Sequence, residues 1–138
     1  MLQELWHRLL LLLGVDQSIG RRGERIAAGH LRKQRYRILA RNLRVGRGEI
    51  DILAQAPDGK TIVIVEVKSG CGDGPRPEVH VNLAKERKLA AMASVLARNP
   101  AFRDRPVRFD VIGVQWPDES ATGQPALRHH VGAFESYL

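Results

Sequence analysis

Two short acidic segments contain the residue types needed for chemistry on a phosphate. Asp51 ends the segment Gly48-Glu49-Ile50-Asp51, and fifteen residues later Glu66 and Lys68 follow the apolar run from Ile62 to Val65. Two carboxylates that face each other in a sheet are destabilising unless a positive charge lies between them. A divalent cation meets that need, and Mg²⁺ is the usual ion where phosphate is the substrate. These residues therefore indicate metal-assisted phosphodiester hydrolysis, with Asp51 and Glu66 as metal ligands and Lys68 orienting water or steadying charge on phosphorus.

The hairpin between the two segments predicts how they meet. If Asp58 and Gly59 are the two central turn residues, Asp51 faces Glu66 and Glu49 faces Lys68. Because side chains alternate along a strand, we expect all four charged residues on one face of the sheet. A bulge or a longer loop would shift this register by one residue.

A further carboxylate, Glu24, is predicted on a helix over residues 19 to 34, for which Asp16 and Ser18 are plausible N-caps. Ala27, Ala28 and Leu31 share its helical face, so Glu24 should point towards the sheet. There it could complete the metal ligands or hold a metal-bound water.

The competing interpretation is an ordinary network of strand-end ion pairs among Glu49, Asp51, Glu66 and Lys68. Surface pairs of that kind contribute only about 0 to 1 kcal/mol. Two features favour a functional site instead. The charges end the most apolar strand in the chain, where an unpaired charge is costly, and Glu24 faces inward from a helix.

The elements that must position these residues are predicted from periodicity and turn signals. After the helix over residues 19 to 34 come strands at 36–45, 49–54 and 61–68, a helix at 81–98 and a strand at 107–116. The third strand is apolar on both faces, which is typical of the middle of a sheet covered by helices. The order α-β-β-β-α-β predicts an α/β fold in which helices flank a mixed sheet.

The length of 138 residues fits a single domain, which we assign to residues 16–138. Residues 1–15 form an N-terminal extension, with an amphipathic helix predicted over residues 2 to 13. Its apolar run from Leu9 to Leu13 falls far short of the roughly 20 residues that span a bilayer, and its flanks are unlike those of a signal peptide. We therefore expect a cytoplasmic protein with no membrane partner. The extension either packs on the domain or docks a protein partner.

The composition indicates a folded chain with a polyanionic partner. Hydrophobic residues make up 43% of the chain and charged residues 27%, which excludes the composition of a disordered protein. Lys and Arg number 22 against 15 Asp and Glu, a net charge of +7 that favours nucleic acid first and an anionic membrane second. The single cysteine, Cys71, excludes an internal disulfide framework and is interpreted as an inert loop thiol.

A dense basic run surrounds the first predicted strand and could either follow a phosphate backbone or solubilise an exposed sheet edge. Its members are Arg32, Lys33, Arg35, Arg37, Arg41, Arg44 and Arg47. We predict nucleic-acid contacts for five basic residues in and beyond this run. They are Arg41, Arg44, Arg47, Lys85 and Lys88.

Gly-Glu-Ile-Asp followed by Val65-Glu66-Val67-Lys68 resembles the signature of the PD-(D/E)XK nuclease superfamily. The sequence is most similar to the YraN family, a resemblance that covers roughly residues 18 to 116 and has a fainter echo at 130–134. It includes Gly23-Glu24, Lys85, Arg87-Lys88-Leu89 and the strand that begins at Val107.

The resemblance implies a restriction-endonuclease-like fold related to archaeal Holliday junction resolvases. It implies Asp51 and Glu66 as metal ligands, Lys68 as the catalytic lysine and Glu24 as a supporting acid, with Glu49 in the same signature. In one respect the chain departs from such proteins. Their loop after the lysine tends to be basic, whereas here no Arg or Lys occurs before Arg76.

We therefore expect an endonuclease that hydrolyses DNA with Mg²⁺, or with Mn²⁺ in its place. Because no base-reading motif is evident, a branched or damaged DNA structure is the expected substrate. A homodimer is the expected assembly, by analogy with the junction-cleaving relatives. The alternative is a non-catalytic nucleic-acid-binding adaptor that retains the nuclease fold. A third hypothesis is a protein-interaction module that acts through the Leu-rich N-terminal helix.

Overall fold

The computed structural model describes residues 18–80 and 83–133, together with positions 2, 5, 8 and 9. The predicted helix over residues 2 to 13, and with it the division at residue 15, lies outside these continuous ranges. The elements within them are two helices, one 3₁₀ turn and five strands. In chain order they are α1 (Ile19–Lys33), β1 (Arg37–Val45), β2 (Gly48–Gln55), β3 (Ile62–Cys71), the 3₁₀ turn (Pro77–His80), α2 (Leu83–Leu96), β4 (Val107–Trp116) and β5 (Ala126–His130).

The five strands form one mixed sheet in the order β1-β2-β3-β4-β5. β1, β2 and β3 are antiparallel neighbours, β3 and β4 are parallel, and β5 returns antiparallel to β4. The parallel pairing follows from α2, which carries the chain back across the sheet between β3 and β4. The predicted mixed sheet flanked by helices is confirmed, with β3 at its centre. The fifth strand was not predicted, because residues 126–130 lack a clear apolar pattern.

The sheet has a hydrophobic core on each face. On the α1 face, Ala27, Ala28 and Leu31 of the helix pack against Val63 and Val65 of β3. On the other face, α2 packs against a second cluster that contains Ile62 and Ile64. β3 therefore alternates between two buried faces, as its apolar sequence predicts. Full burial of each of these side chains contributes about 1.5 to 3 kcal/mol.

The β2–β3 connection sets the register that brings the acidic segments together. The Gly59 N–H donates to the Ala56 carbonyl at 3.0 Å, and the Ala56 N–H donates to the Thr61 carbonyl at 2.9 Å. The Asp58 carboxylate accepts the N–H groups of Lys60 and Thr61, which fixes the loop internally. The connection thus has four residues rather than the predicted two. Because it is symmetric about the same point, Ile52 still pairs with Val65, and the predicted register is confirmed.

Candidate active site

β2 and β3 separate at the end where the acidic residues lie. Their paired positions end at Ile52–Val65. Beyond that point, residues 48–50 of β2 pair only with β1, whereas residues 66–71 of β3 pair only with β4. We call the opening between residues 48–51 and residues 66–71 the fork. A fork exposes strand ends and side chains that a continuous sheet would cover.

The fork coincides with a bend in the neighbouring strand. Asn42 of β1 has a φ of 52°, in the left-handed region that asparagine tolerates better than most residues. Its two neighbours pair with Ile52 and Ile50, so Asn42 lies beside Asp51. The bend changes which face the following β1 and β2 side chains occupy. Ile52 belongs to the core on the α1 face, whereas Ile50 belongs to the core on the α2 face.

Asp51 and the Glu66–Lys68 pair meet at the fork. The Asp51 Oδ2 accepts a hydrogen bond from the backbone N–H of Val67 at 2.8 Å, so its carboxylate reaches across the fork. Glu66 is only 4% exposed, and its Oε1 lies 3.5 Å from the Nζ of Lys68. Asp51 is thus held by the backbone of the residue between Glu66 and Lys68, the two residues predicted to act with it. The predicted direct pairings of Asp51 with Glu66 and of Glu49 with Lys68 are not found, because the ladder ends one position earlier.

The other two predicted acids lie on the α1 side. Glu24 is 9% exposed and its Oε2 lies 3.0 Å from the Nη1 of Arg21. The same Nη1 lies 3.9 Å from Glu49 Oε1 and donates to the side chain of Asn42. Arg21 therefore joins α1 to the bent part of β1 and β2. The inward orientation predicted for Glu24 is confirmed.

The prediction that all four charged strand residues share one face is wrong for Glu49. Val65 and Val67 belong to the core on the α1 face, so the alternating Glu66 and Lys68 project towards the α2 face. Glu49 instead approaches Arg21 of α1. The bend at Asn42 is the physical reason, since it breaks the alternation on which the prediction rested.

Two glycines of the signature allow helices to approach the fork closely. A Cβ at Gly23 would lie 1.8 Å from Ser69 Oγ, so only glycine lets α1 rest on β3 directly after Lys68. A Cβ at Gly48 would lie 2.6 Å from Met92 Sδ and 3.0 Å from Lys88 Cε. The Lys88 side chain therefore crosses the start of β2 beside Glu49. Gly23 thus lets the next residue, Glu24, come close to the fork, and Gly48 leaves room there for the Lys88 side chain.

The donor groups at the fork fit a hard divalent cation. Within the described ranges, no three His, Cys, Asp or Glu side chains form a cluster that could hold a metal ion. Mg²⁺ does not need one, because it keeps several waters and usually takes one or two protein carboxylates together with substrate phosphate oxygens. Asp51 and Glu66 are the two carboxylates that would hold it. The ion would act as a Lewis acid on the phosphoryl oxygen.

The predicted nucleic-acid contacts are distributed around the fork. Arg44 and Arg47 are exposed, on β1 and in the turn after it, and Lys88 is exposed on α2. Arg41 is half-buried and lines a cavity of about 310 Å³. Lys85 falls on α2, and its role stays a prediction. Cys71 is an exposed free thiol that ends β3, so it does not lie in a loop as predicted.

A second polar cluster, centred on Asp110, was not predicted as a unit. Asp110 is 1% exposed and accepts from Arg108 Nε at 2.9 Å, from His129 Nε2 at 2.7 Å and from the Gly132 N–H at 3.0 Å. Burial acts to raise the pKa of Asp110, but the hydrogen bonds from His129 and Arg108 outweigh it and leave the pKa below its usual value.

His30 extends this cluster to α1. Its Nε2 lies 3.1 Å from His129 Nδ1. Burial lowers the pKa of His30, and the nearby His129 and Lys33 lower it further. The cluster therefore joins α1, β4 and β5 on the α1 face of the sheet.

Glu78 is another acid that sequence reasoning missed, and its side chain is only 7% exposed. Arg128 donates to both of its carboxylate oxygens, at 2.7 and 2.8 Å, and His130 Nε2 lies 3.0 Å from one of them. The hydrogen bonds from Arg128 are the main cause that lowers the pKa of Glu78 to about 2. A Cβ at Gly113 would lie 2.4 Å from this carboxylate, so β4 provides the space for it. Glu78 fastens the 3₁₀ turn before α2 to β4 and β5.

The fold and the fork define a small α/β protein with an acidic centre at the point where a mixed sheet opens. None of its described helices is long and apolar enough to cross a lipid bilayer. The family model for the uncharacterised protein family UPF0102 matches residues 23–114, from Gly23 of α1 into β4. The chain belongs to this family, which is the YraN family of the sequence resemblance.

Similar proteins occur in several bacteria. A UPF0102 protein of Geotalea uraniireducens (strain Rf4) is 38% identical over 122 residues, which cover 87% of this chain and 91% of the relative. A UPF0102 protein of Geobacter sulfurreducens is 40% identical over 122 residues, with the same coverage. One from Symbiobacterium thermophilum is 41% identical over 102 residues, which cover 73% of this chain and 85% of the relative. These names describe a family whose activity is uncharacterised.

Proposed function

We propose that this protein is a metal-dependent endonuclease of the restriction-endonuclease-like superfamily that hydrolyses phosphodiester bonds in DNA. The observation that carries the proposal is the meeting of Asp51, Glu66 and Lys68 at the fork, where Asp51 is held by the Val67 backbone. The order of elements and the parallel β3–β4 crossover support the superfamily assignment. The net charge of +7 supports a nucleic-acid substrate.

Each residue of the fork has a role that its position supports. Asp51 and Glu66 would hold Mg²⁺ or Mn²⁺, which supplies Lewis-acid chemistry when bound. Lys68 places an ammonium group beside Glu66, where it can orient an attacking water or steady charge on phosphorus. Glu24 supports the site from α1 through Arg21, and Glu49 shares that arginine. Arg44, Arg47 and Lys88, with Lys85 on the same helix, would hold the DNA backbone.

DNA of branched or damaged structure is the proposed substrate, because a domain of this size without a base-reading motif recognises shape more readily than sequence. We further propose that the protein acts in the cytoplasm, in agreement with its single exposed cysteine. A homodimer would suit a two-fold symmetric junction.

The test compares purified wild type with Asp51→Asn on linear, nicked, flapped and four-way DNA in Mg²⁺, Mn²⁺ and chelator. Asp104→Asn is the matched control, since Asp104 is exposed and lies in the loop before β4. We expect metal-dependent cutting by wild type and control, and a loss of about a hundredfold or more in Asp51→Asn with the fold intact. Equal cutting by Asp51→Asn would refute the proposed site.

The alternative function is a non-catalytic nucleic-acid-binding adaptor. The observation in its favour is the net charge of +7, which suits DNA binding with or without cleavage. An adaptor would bind DNA with a steep salt dependence, equally well in Mg²⁺ and in chelator, and would give no product. Binding without cutting on every substrate of the panel would favour it over the nuclease.

A further inference from the structure

A cavity lined by three arginines lies next to the fork. It has a volume of about 310 Å³ and is formed by Arg21 and Arg25 of α1 and by Arg41 and Asn42 of β1. Arginine presents a planar guanidinium group whose N–H donors match phosphate oxygens. Several arginines around one cavity repel each other unless an anion lies between them. The lining therefore favours a phosphate group as the occupant.

The three arginines differ in whether a carboxylate of the protein pairs with their positive charge. Arg21 is paired with Glu24 at 3.0 Å and approaches Glu49. Among the described residues, by contrast, neither Arg25 nor Arg41 forms an ion pair with a carboxylate. Two positive charges of the cavity thus remain for an external anion.

The Arg41 side chain provides a further indication that an anion binds in the cavity. Its Nε is buried, and it has no hydrogen-bond partner within the part of the chain that the structure describes. A buried donor without an acceptor is costly, and the cost is larger when the donor is charged. Because Nε is closed to solvent, an acceptor in the cavity would reach this guanidinium through its Nη groups, and the oxygens of a backbone phosphate are acceptors only.

The cavity is one strand away from Asp51, on the α1 side of the sheet. Asn42 lies beside Asp51 in the β1–β2 pairing, and it accepts from Arg21, which also contacts Glu24. Neighbouring strands are about 4.8 Å apart. A polymer with one phosphate at the fork could therefore place another phosphate in the cavity.

We propose that Arg21, Arg25 and Arg41 form a subsite that binds a DNA backbone phosphate adjacent to the one at the fork. The proposal rests on DNA as the ligand of the proposed function but not on cleavage. Arg25 and Arg41 hold the phosphate oxygens directly, and Arg21 connects the subsite to Glu24 and Glu49. The subsite fixes where along the strand the fork engages the DNA.

The first test measures DNA affinity by fluorescence anisotropy, in chelator, over a series of NaCl concentrations. We compare wild type with Arg25→Gln, Arg41→Gln and their combination, and we use Arg103→Gln as the control because Arg103 is exposed in the loop before β4. Removal of one arginine–phosphate interaction should reduce the slope of log affinity against log salt by about 1. The double variant should therefore have a lower affinity and a slope reduced by about two units, while the control keeps both.

A second measurement is independent of any variant. The NMR signal of the Arg41 Nε–H should shift when DNA is added to wild-type protein. A shift with inorganic phosphate but none with DNA would overturn the backbone-phosphate assignment, and so would an unchanged salt slope in the double variant.

The outcomes also separate this proposal from the nuclease. Cutting by wild type together with unchanged DNA binding by the cavity variants would refute the subsite but not the proposed nuclease activity. Weakened DNA binding by the cavity variants, with no cutting by wild type, would support the subsite and refute the proposed nuclease activity.

Discussion

Two nearly buried carboxylates in neighbouring strands, Asp110 of β4 and Glu66 of β3, have contrasting surroundings. Asp110 receives well-aimed hydrogen bonds from Arg108, His129 and the Gly132 backbone, all at 3.0 Å or less. The ammonium group of Lys68 lies 3.5 Å from Glu66, longer than the roughly 2.7 to 2.9 Å of a strong charged hydrogen bond.

This difference separates a carboxylate that holds three elements together from one that lies beside a partly exposed lysine at the fork. Asp110 lies where α1, β4 and β5 meet, and its partners leave little capacity for a ligand. Glu66 lies at the fork, beside Lys68, whose side chain is 31% exposed. A loose, half-solvated counter-ion can be displaced by a metal ion, whereas a closed network resists change.

The largest expected effect is on stability at the Asp110 cluster. Asp110→Ala should lower the free energy of unfolding by about 3 to 5 kcal/mol, because it leaves Arg108 without its buried partner. Urea denaturation would measure the loss. The exposed Asp73 offers a control, and Asp73→Ala should change stability by no more than about 0.5 kcal/mol. Similar losses in the two variants would mean that Asp110 has no special structural role.

Glu66→Gln should have the opposite profile. Because Glu66 is buried but its counter-ion Lys68 is partly solvated, we expect a loss of only about 1 to 3 kcal/mol in unfolding free energy. Metal-dependent cutting should fall by about a hundredfold or more, since an amide is a poor ligand for Mg²⁺. Denaturation and cleavage assays on the same preparation would separate the two effects. A variant that is strongly destabilised yet cuts normally would make Glu66 a structural acid like Asp110.

Gly23→Ala tests the approach of α1 to the fork. The added methyl group would meet Ser69 Oγ at 1.8 Å, and we expect a loss of about 1 to 3 kcal/mol from the resulting shift of α1. Gly20→Ala is the matched control on the same helix, because nothing lies within 4 Å of the new Cβ. That variant should gain about 0.5 to 1 kcal/mol, and thermal unfolding of both would compare them. Equal stability in the two variants would contradict the close contact.

The smallest expected effect is the pH dependence from His30. Its pKa in the folded protein lies below the value of about 6.5 for the unfolded chain, so the unfolded state binds a proton first as the pH falls. Stability should be greatest above pH 6.5 and decline as the pH drops below it towards the lower folded pKa. The decline should be shallower in His30→Gln, measured by urea denaturation between pH 7.5 and about pH 5. Parallel profiles would show that His30 does not contribute.

The sequence was sufficient to predict four of the five strands and the β2–β3 register because both depend on local patterns. The run from Ile62 to Val65 identified the central strand, and the symmetric turn at Asp58-Gly59 preserved the pairing of Ile52 with Val65 even though the loop was longer than predicted. Glu24 was placed correctly for the same reason, since helical spacing fixes its face.

The remaining features depend on geometry that no local pattern encodes. The left-handed conformation of Asn42 turns Glu49 towards α1, and an asparagine within an apolar and basic strand does not by itself indicate a bend. His30 and His129 meet across 99 residues of sequence, so their contact follows only from the completed packing of α1 on β5. The cavity between Arg25 and Arg41 likewise requires α1 and β1 to be in place.

The fork also has a consequence for the order in which the molecule folds. β1, β2 and residues 62–65 of β3 pair through short connections, whereas residues 66–71 pair only with β4, whose contact requires closure of the long crossover through α2. Contacts between distant parts of a chain form late because their loop-closure entropy is unfavourable. We therefore expect Glu66 and Lys68 to become ordered after the hairpin core, so that the hydrophobic core forms before the candidate active site. In pulse-labelling hydrogen exchange, the amides of Glu66 and Lys68 should become protected later than those of residues 52–55 of β2, and simultaneous protection would contradict this order.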